Sequence, residues 1–215
     1  MRPLATSTEP PRRGVAGIVL AAGLSTRMGV LKQLLPIAGK PMVARAAEVL
    51  VSAGVADVIV VVGHERSAVE SALTGLPVRA VFNPDYAVGE MLSSVQTGLR
   101  SLTADTDAAL IALGDQPFLA PQTVRALVTA YAGRVTAIVQ PQFGNRRGHP
   151  ILLGRAVWAD VLAAAQGTTL RDIVRRHTSA RRFVPVDDPQ ILVDLDRPAD
   201  LYRTRNPQPA EPPAH

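Results

Sequence analysis

The sequence predicts an α/β fold: a three-layer sandwich with a mostly parallel, twisted sheet and helices on both faces. Three observations lead there. Short continuous apolar runs, Val15 to Leu20, Val58 to Val62 and Ala108 to Leu113, are each followed by glycine (Gly23, Gly63 and Gly114), and such runs suit strands buried on both faces. Segments between them place apolar residues at three- and four-residue spacing, the period of a helix with one buried face. The two kinds alternate along the chain, as strand–helix crossovers of a parallel sheet require.

Taken in order, the run Val15 to Leu20 is the first strand and Ala21 to Lys32 the loop after it. Met42 to Ala53 reads as a helix, Val58 to Val62 as a strand, and Arg66 to Leu73 and Met91 to Leu102 as helices. Ala108 to Leu113 is the next strand, followed by a helix over Pro121 to Ala132, where proline suits a first turn because its missing N–H is not needed there. In the second half, Ala137 to Val139 and Pro150 to Leu153 read as strands flanking a loop from Gln140 to His149. Arg155 to Ala165 and Leu170 to His177 read as helices, Phe183 to Val186 and Ile191 to Leu195 as extended, and Pro198 to Tyr202 as the start of a last helix. Residues 1–13 and 206–215, rich in proline and small polar groups with nothing periodic to bury, are expected to be disordered tails around one domain over 14–205.

Composition narrows the function. A chain of 215 residues with 47% hydrophobic side chains can bury a sizeable core. It lacks the run of about 20 apolar residues that crosses a bilayer. Its start carries Pro3, Glu9, Pro10, Pro11, Arg12 and Arg13 in place of an apolar leader, so a cytoplasmic protein without a membrane partner is expected. With no cysteine, thiolate sites are excluded, and a metal must be held by oxygen or imidazole, which favours a hard cation. The net charge of +5 is scattered, and 4% aromatics offer few stacking platforms, so a small anionic ligand is favoured over nucleic acid. Of the 23 basic residues only Lys32 and Lys40 are lysines.

Ligands of open α/β sheets settle beyond the carboxyl ends of strands, which directs attention to the loop Ala21 to Lys32. Small residues (Ala21, Ala22, Gly23, Gly29) let backbone N–H groups approach an anion, Ser25 and Thr26 add hydroxyls, and Arg27 and Lys32 add positive charge. Neither common glycine loop fits. Gly29 is followed by Val30, and Gly39-Lys40 by Pro41, where a Walker loop needs Gly-Lys-Ser/Thr; G-x-G-x-x-G is absent.

The string LAAGLSTRMGVLKQLLPIAGKPMV resembles the signature of the MobA-like nucleotidyltransferases, especially the molybdenum cofactor cytidylyltransferases. The resemblance continues through Asn83-Pro84, GEMLSSVQTGL, LGDQP, RRGHPILL and VDLDRPADL in the family's order. It implies a Rossmann-like, nucleotide-diphospho-sugar transferase-like fold. It also implies a magnesium-dependent transfer of CMP from CTP to the phosphate of molybdopterin, giving molybdopterin cytosine dinucleotide and pyrophosphate. Nucleotide contacts are then expected from Leu20, Ala21, Ala22, Gly23, Ser25, Arg27, Lys32, Ser94 and Gly114, with Arg27, Lys32 and Asp115 as the catalytic set.

Asp115 ends an apolar run, where a parallel strand delivers its carboxylate to the rim that bears the first loop. By resemblance it is the Mg2+ ligand, and VDLDRPADL selects Asp196 as the second, leaving Asp194 and Asp200 structural. Magnesium keeps most of its coordination for water and phosphate oxygens, so two carboxylates suffice. A phosphate monoester is already anionic near neutral pH, so in-line attack on the α-phosphorus requires no general base. The Ala-Ala-Gly of Ala21 to Gly23 resembles cytidylyl-transferring members, whereas guanylyl-transferring ones carry Ala-Gly-Gly, so Ala22 favours CTP.

Ser93, Ser94 and Gln96 fall at a helix start, where they can bind the base or a phosphate or simply cap the helix. Gln116, Arg147, Gly148 and His149 are the expected acceptor-binding residues, since a Gly-His-Pro turn beside Arg146 and Arg147 presents donors suited to an anion. Trp158 reads as core. The chain departs from the family at Gly167 to Arg171, where Lys-Gly-Ala-Arg is common, so the resemblance gives that stretch no acceptor role. Two rivals remain: the same chemistry on another phosphorylated acceptor such as a sugar phosphate, and a non-catalytic module holding nucleotide or finished cofactor for a client molybdenum enzyme.

Overall fold

The structure, a computed structural model, describes residues 14–25, 29–131, 137–195 and 200. In chain order the elements are β1 (Gly14–Ala21), β2 (Pro36–Ile37), β3 (Lys40–Pro41), α1 (Met42–Ser52), β4 (Asp57–Val62), α2 (Arg66–Ala72), β5 (Arg79–Phe82), α3 (Glu90–Arg100) and β6 (Thr106–Leu113). They continue with α4 (Pro121–Tyr131), β7 (Ile138–Phe143), β8 (Arg146–Arg147), β9 (Ile151–Gly154), α5 (Arg155–Leu162), α6 (Leu170–Arg176) and β10 (Arg181–Pro185). The main sheet runs β10-β7-β9-β6-β1-β4-β5, with β8 pairing β7 at its rim. β6, β1, β4 and β5 are parallel, and β9 is antiparallel to both neighbours, so the sheet is mostly parallel and mixed.

Side-chain alternation along the central strands divides the core between two faces. Val19, Ala21, Val60, Val62, Leu110 and Ala112 join a cluster with Val43 and Leu50 of α1 and Val124 and Leu127 of α4. Ile18, Ile59, Val61, Ala109 and Ile111 point the other way, to Leu92 and Val95 of α3, Val157, Trp158 and Val161 of α5, and Ile173 of α6. Because both faces are covered, the strand sequences show no polar alternation. The carboxyl ends of β1, β4 and β6 therefore share one rim, which carries the chemistry considered below. Among the described residues no helix is long and apolar enough to cross a membrane.

Four features of the sequence reading change. β5 is an edge strand with mostly exposed side chains, so the apolar signal that marks β1, β4 and β6 is missing. The segment 140–149, expected to be a loop, is largely a hairpin: β7 extends to Phe143 and pairs Gln142 with Arg147, turning at Gly144, whose φ of 56° suits glycine. Ile191 to Leu195, expected to be extended, begins inside a 3-10 turn over Pro189–Leu192. There the Asp188 carboxylate accepts the Gln190 N–H at 3.0 Å and outcompetes strand pairing. The helix expected to reach Ala165 ends at Leu162. The helix expected at Pro198 to Tyr202 lies outside the described residues except for Asp200, which is helical.

Candidate active site

The loop after β1 is tied down from within. Gln33, only 3% exposed, donates its Nε2 to the Gly23 carbonyl at 2.9 Å and to that of Ala21 at 3.3 Å, while its Oε1 accepts the Ser25 hydroxyl at 2.8 Å. The same Ser25 oxygen accepts the Lys32 backbone N–H at 3.2 Å, and Ser25 itself holds a left-handed backbone with φ of 54°. A buried amide with its partners satisfied specifies one loop shape, since any other shape strands polar atoms. Sequence reasoning missed Gln33, and the only local signal was a polar residue ahead of Leu34 and Leu35. Ser25 thus helps to hold the loop. Thr26 to Met28 lie outside the described residues, and Arg27 with them.

At the end of β6, Gly114 N–H donates to the Leu20 carbonyl at 3.0 Å. A Cβ on Gly114 would lie 2.7 Å from that oxygen, so glycine is what lets β1 and β6 close up here. The next residue, Asp115, turns its carboxylate across the rim: Lys32 Nζ and Asp115 Oδ2 are 2.6 Å apart, with side chains 16% and 17% exposed. The two residues are 83 positions apart in sequence, and their convergence is the geometric centre of the site. Leu195 N–H donates to the Asp115 carbonyl at 3.1 Å, which brings the segment leading to Asp196 alongside. Asp196 itself lies outside the described residues. Asp194 Oδ1 accepts Gln116 Nε2 at 2.8 Å, and the Ile191 carbonyl accepts it at 3.3 Å, so Asp194 orients Gln116.

These donors suit magnesium. Among the described residues no group of three or more His, Cys, Asp or Glu gathers as a closed metal cage. What is present is a hard carboxylate at a strand end and the Gln116 Oε1, buried without a hydrogen-bond partner. A cation that relies on substrate phosphates for most of its shell needs little more.

The start of α3 is fixed by Asn83, which is fully buried. Its Nδ2 donates to the hydroxyls of Ser93 at 2.9 Å and Ser94 at 3.0 Å, and its Oδ1 accepts Asp85 N–H at 3.0 Å. Ser94 is itself buried, and Gln96 donates to the carbonyls of Val161 and Ala164, tying α3 to α5. These side chains therefore anchor α3 at the rim. The methyl of Ala22 packs into the core cluster under α3, while the Ala22 carbonyl accepts His64 N–H. Ala21 is also buried, Leu20 is half-buried, and Gly23 is exposed in the loop.

Beside the rim opens a cleft of about 980 Å³ between the β7–β8–β9 strands and α6. Gln116, Arg147, Gly148 and His149 line it, as do Arg171, Arg175 and Arg181. The stretch from Thr168 to Arg171, left without a role by the sequence, also faces it. There Thr169 caps α6 and Asp172 returns the bond, a reciprocal capping box that holds the Asp172 carboxyl below its ordinary range. His149 is kept neutral: burial lowers its pKa most, Asp115 opposes this, and Arg171 adds to the lowering.

A family model described as MobA-like NTP transferase domain matches residues 17–181. The chain belongs to the MobA-like NTP transferase family. Similar proteins span nearly its whole length. Nicotine blue oxidoreductase of Paenarthrobacter nicotinovorans is 32% identical over 197 residues, 88% of this chain and 95% of that protein. A nucleotidyl transferase of Methanothermobacter thermautotroptrophicus superposes with a TM-score of 0.75 at 28% identity, covering 89% and 96% of the two chains. Rv0371c of Mycobacterium tuberculosis H37Rv, solved in complex with manganese, gives 0.72 at 28% identity over 89% and 97%.

Two consequences follow for this MobA-like site. A Cβ on Gly148 would lie 1.9 Å from the Ile191 carbonyl oxygen, which also receives the N–H of His149 and the amide of Gln116. Gly148→Ala must push the hairpin off the 3-10 turn. We expect a loss of about 2 kcal/mol, or roughly 5 °C in Tm, read by thermal unfolding. His149 gives a pH effect. Its folded-state pKa lies below the unfolded one, so protonation favours the unfolded chain; the contribution is fully present above the ordinary imidazole range and is lost as pH falls through it. Tm measured from pH 7.5 to 5 should decline less steeply in His149→Gln than in the wild type, and parallel curves would refute the assignment.

Proposed function

We propose that this protein is a magnesium-dependent cytidylyltransferase that transfers CMP from CTP to the phosphate of molybdopterin, releasing pyrophosphate. The observation that carries this reading is the meeting of Lys32 and Asp115 next to Gln116, which lines a basic cleft. The loop amides and the cations Lys32 and Arg27 bind the triphosphate and hold its α-phosphorus at the rim. His149, Arg147 and Gln116 hold the acceptor phosphate in line with it. An acceptor oxygen forms the new bond to the α-phosphorus as the bond to the β-phosphate bridging oxygen breaks, and Lys32 follows the negative charge onto the departing pyrophosphate. Asp115, with Asp196, would hold magnesium, which when bound neutralises charge on the phosphates. The manganese complex of the related Rv0371c supports a divalent cation here. CTP is favoured by Ala22, acting through its backbone, since its side chain is in the core.

The decisive assay is pyrophosphate release from purified protein with magnesium and molybdopterin. CTP should support turnover at least about tenfold faster than GTP. Turnover only with a sugar phosphate would move the acceptor, and CTP binding without turnover on any phosphate would favour a holding module. The name of the relative that matches 88% of the chain supports a redox reading instead; bleaching of nicotine blue by a reduced nicotinamide nucleotide in the same preparation would establish it.

A further inference from the structure

Arg181 is the first residue of β10 and enters the cleft with its Nε buried and without a hydrogen-bond partner. Its guanidinium lies 5.4 Å from the Phe183 ring centroid, and that of Arg147 lies 4.1 Å from the same centroid. Two cations resting on one ring repel each other, and attraction to the ring face offsets part of that repulsion. Among the described residues, neither forms a salt bridge. Leaving a buried guanidinium N–H unpaired is unfavourable by roughly 1–3 kcal/mol, a penalty that an incoming anion would remove. Strand register places the pair along the cleft: Arg147 pairs with Gln142 at the rim end of β7, whereas Arg181 pairs with Ile138 at the far end. The rise over that stretch of strand is about 13 Å, but both side chains converge on Phe183, which keeps the two guanidinium carbons within about 10 Å of each other.

We propose that Arg181, across the Phe183 ring from Arg147, forms a second anion subsite in the cleft, so that the acceptor carries a further acidic group within about 10 Å of the phosphate that Arg147 holds for attack on CTP. This rests on the cleft being the acceptor site, as proposed above. Such a subsite selects at least doubly acidic acceptors over simple monophosphates, because the guanidinium–anion bond it adds is charge-assisted.

The test is calorimetric titration of the full chain, without nucleotide, with 1,4-butanediol bisphosphate and with 4-hydroxybutyl phosphate. The bisphosphate should bind about tenfold or more tightly than the monophosphate. Arg181→Gln should bring the two ligands to equal affinity, and Phe183→Leu should shrink the difference, with magnesium–CTP titration as the check on folding. Equal affinities in the wild type, undetectable binding of both, or a preference that survives Arg181→Gln would overturn the proposal. If the bisphosphate preference holds but CTP never releases pyrophosphate, the transfer reaction fails and the subsite stands.

Discussion

Asp115→Asn is expected to lower pyrophosphate release by at least about a thousandfold while leaving the fold in place. The substitution conserves shape and removes one charge. The main chain at residue 115 keeps its bond from Leu195 N–H, and the closure of Gly114 on Leu20 does not involve the side chain. What changes is the rim. Lys32 then faces a neutral amide in place of the carboxylate 2.6 Å away, and the hard oxygen donor at the strand end is weakened. A rim relieved of a negative charge repels a triphosphate less, so CTP binding measured without magnesium should be retained or tightened even as turnover disappears. This split between binding and chemistry separates a metal-holding carboxylate from a structural one. Turnover within tenfold of wild type would remove Asp115 from the centre of the site.

The sequence makes some of this arrangement readable and hides the rest, for physical reasons. Residues that announce themselves sit at junctions between periodic patterns: Asp115 closes an apolar run, and Lys32 ends a loop of small residues that no periodic burial explains. Helices α1, α3, α4 and α6 were legible because an amphipathic stripe must repeat. Gln33, Asn83 and Arg181 were not. Each acts through partners fixed only by the fold: Gln33 through the carbonyls of its own loop, Asn83 through two serines on α3, and Arg181 through a ring brought alongside by strand alternation. The hairpin of β7 and β8 was hidden because Gln140, Pro141, Asn145 and two arginines read as loop composition, although backbone pairing there needs no apolar side chains. Ser25 and Ser94 carry a further lesson. Their place in a motif reads as ligand contact, and only the fold shows that their hydroxyls also make internal bonds that shape the rim.

Lys32→Met should reduce kcat/KM for CTP by about a hundredfold to a thousandfold, with both a higher KM and a lower kcat. Methionine keeps the length and apolar stem of lysine, and the bond that ties residue 32 to the loop is made by its backbone N–H to Ser25, so the loop survives the change. Lost are the charge that binds the triphosphate in the ground state and the stronger attraction it exerts as negative charge gathers on the leaving pyrophosphate, hence the effect on both constants. Because Lys32 and Asp115 touch, their contributions cannot be independent. If each acts on the same phosphates, the double variant Lys32→Met/Asp115→Asn should be little slower than Asp115→Asn alone. Full additivity would mean that the two side chains serve different steps. A Lys32→Met enzyme within about threefold of wild type would mean that the ion pair is a structural clasp, and the case for nucleotidyl transfer at this rim would fall.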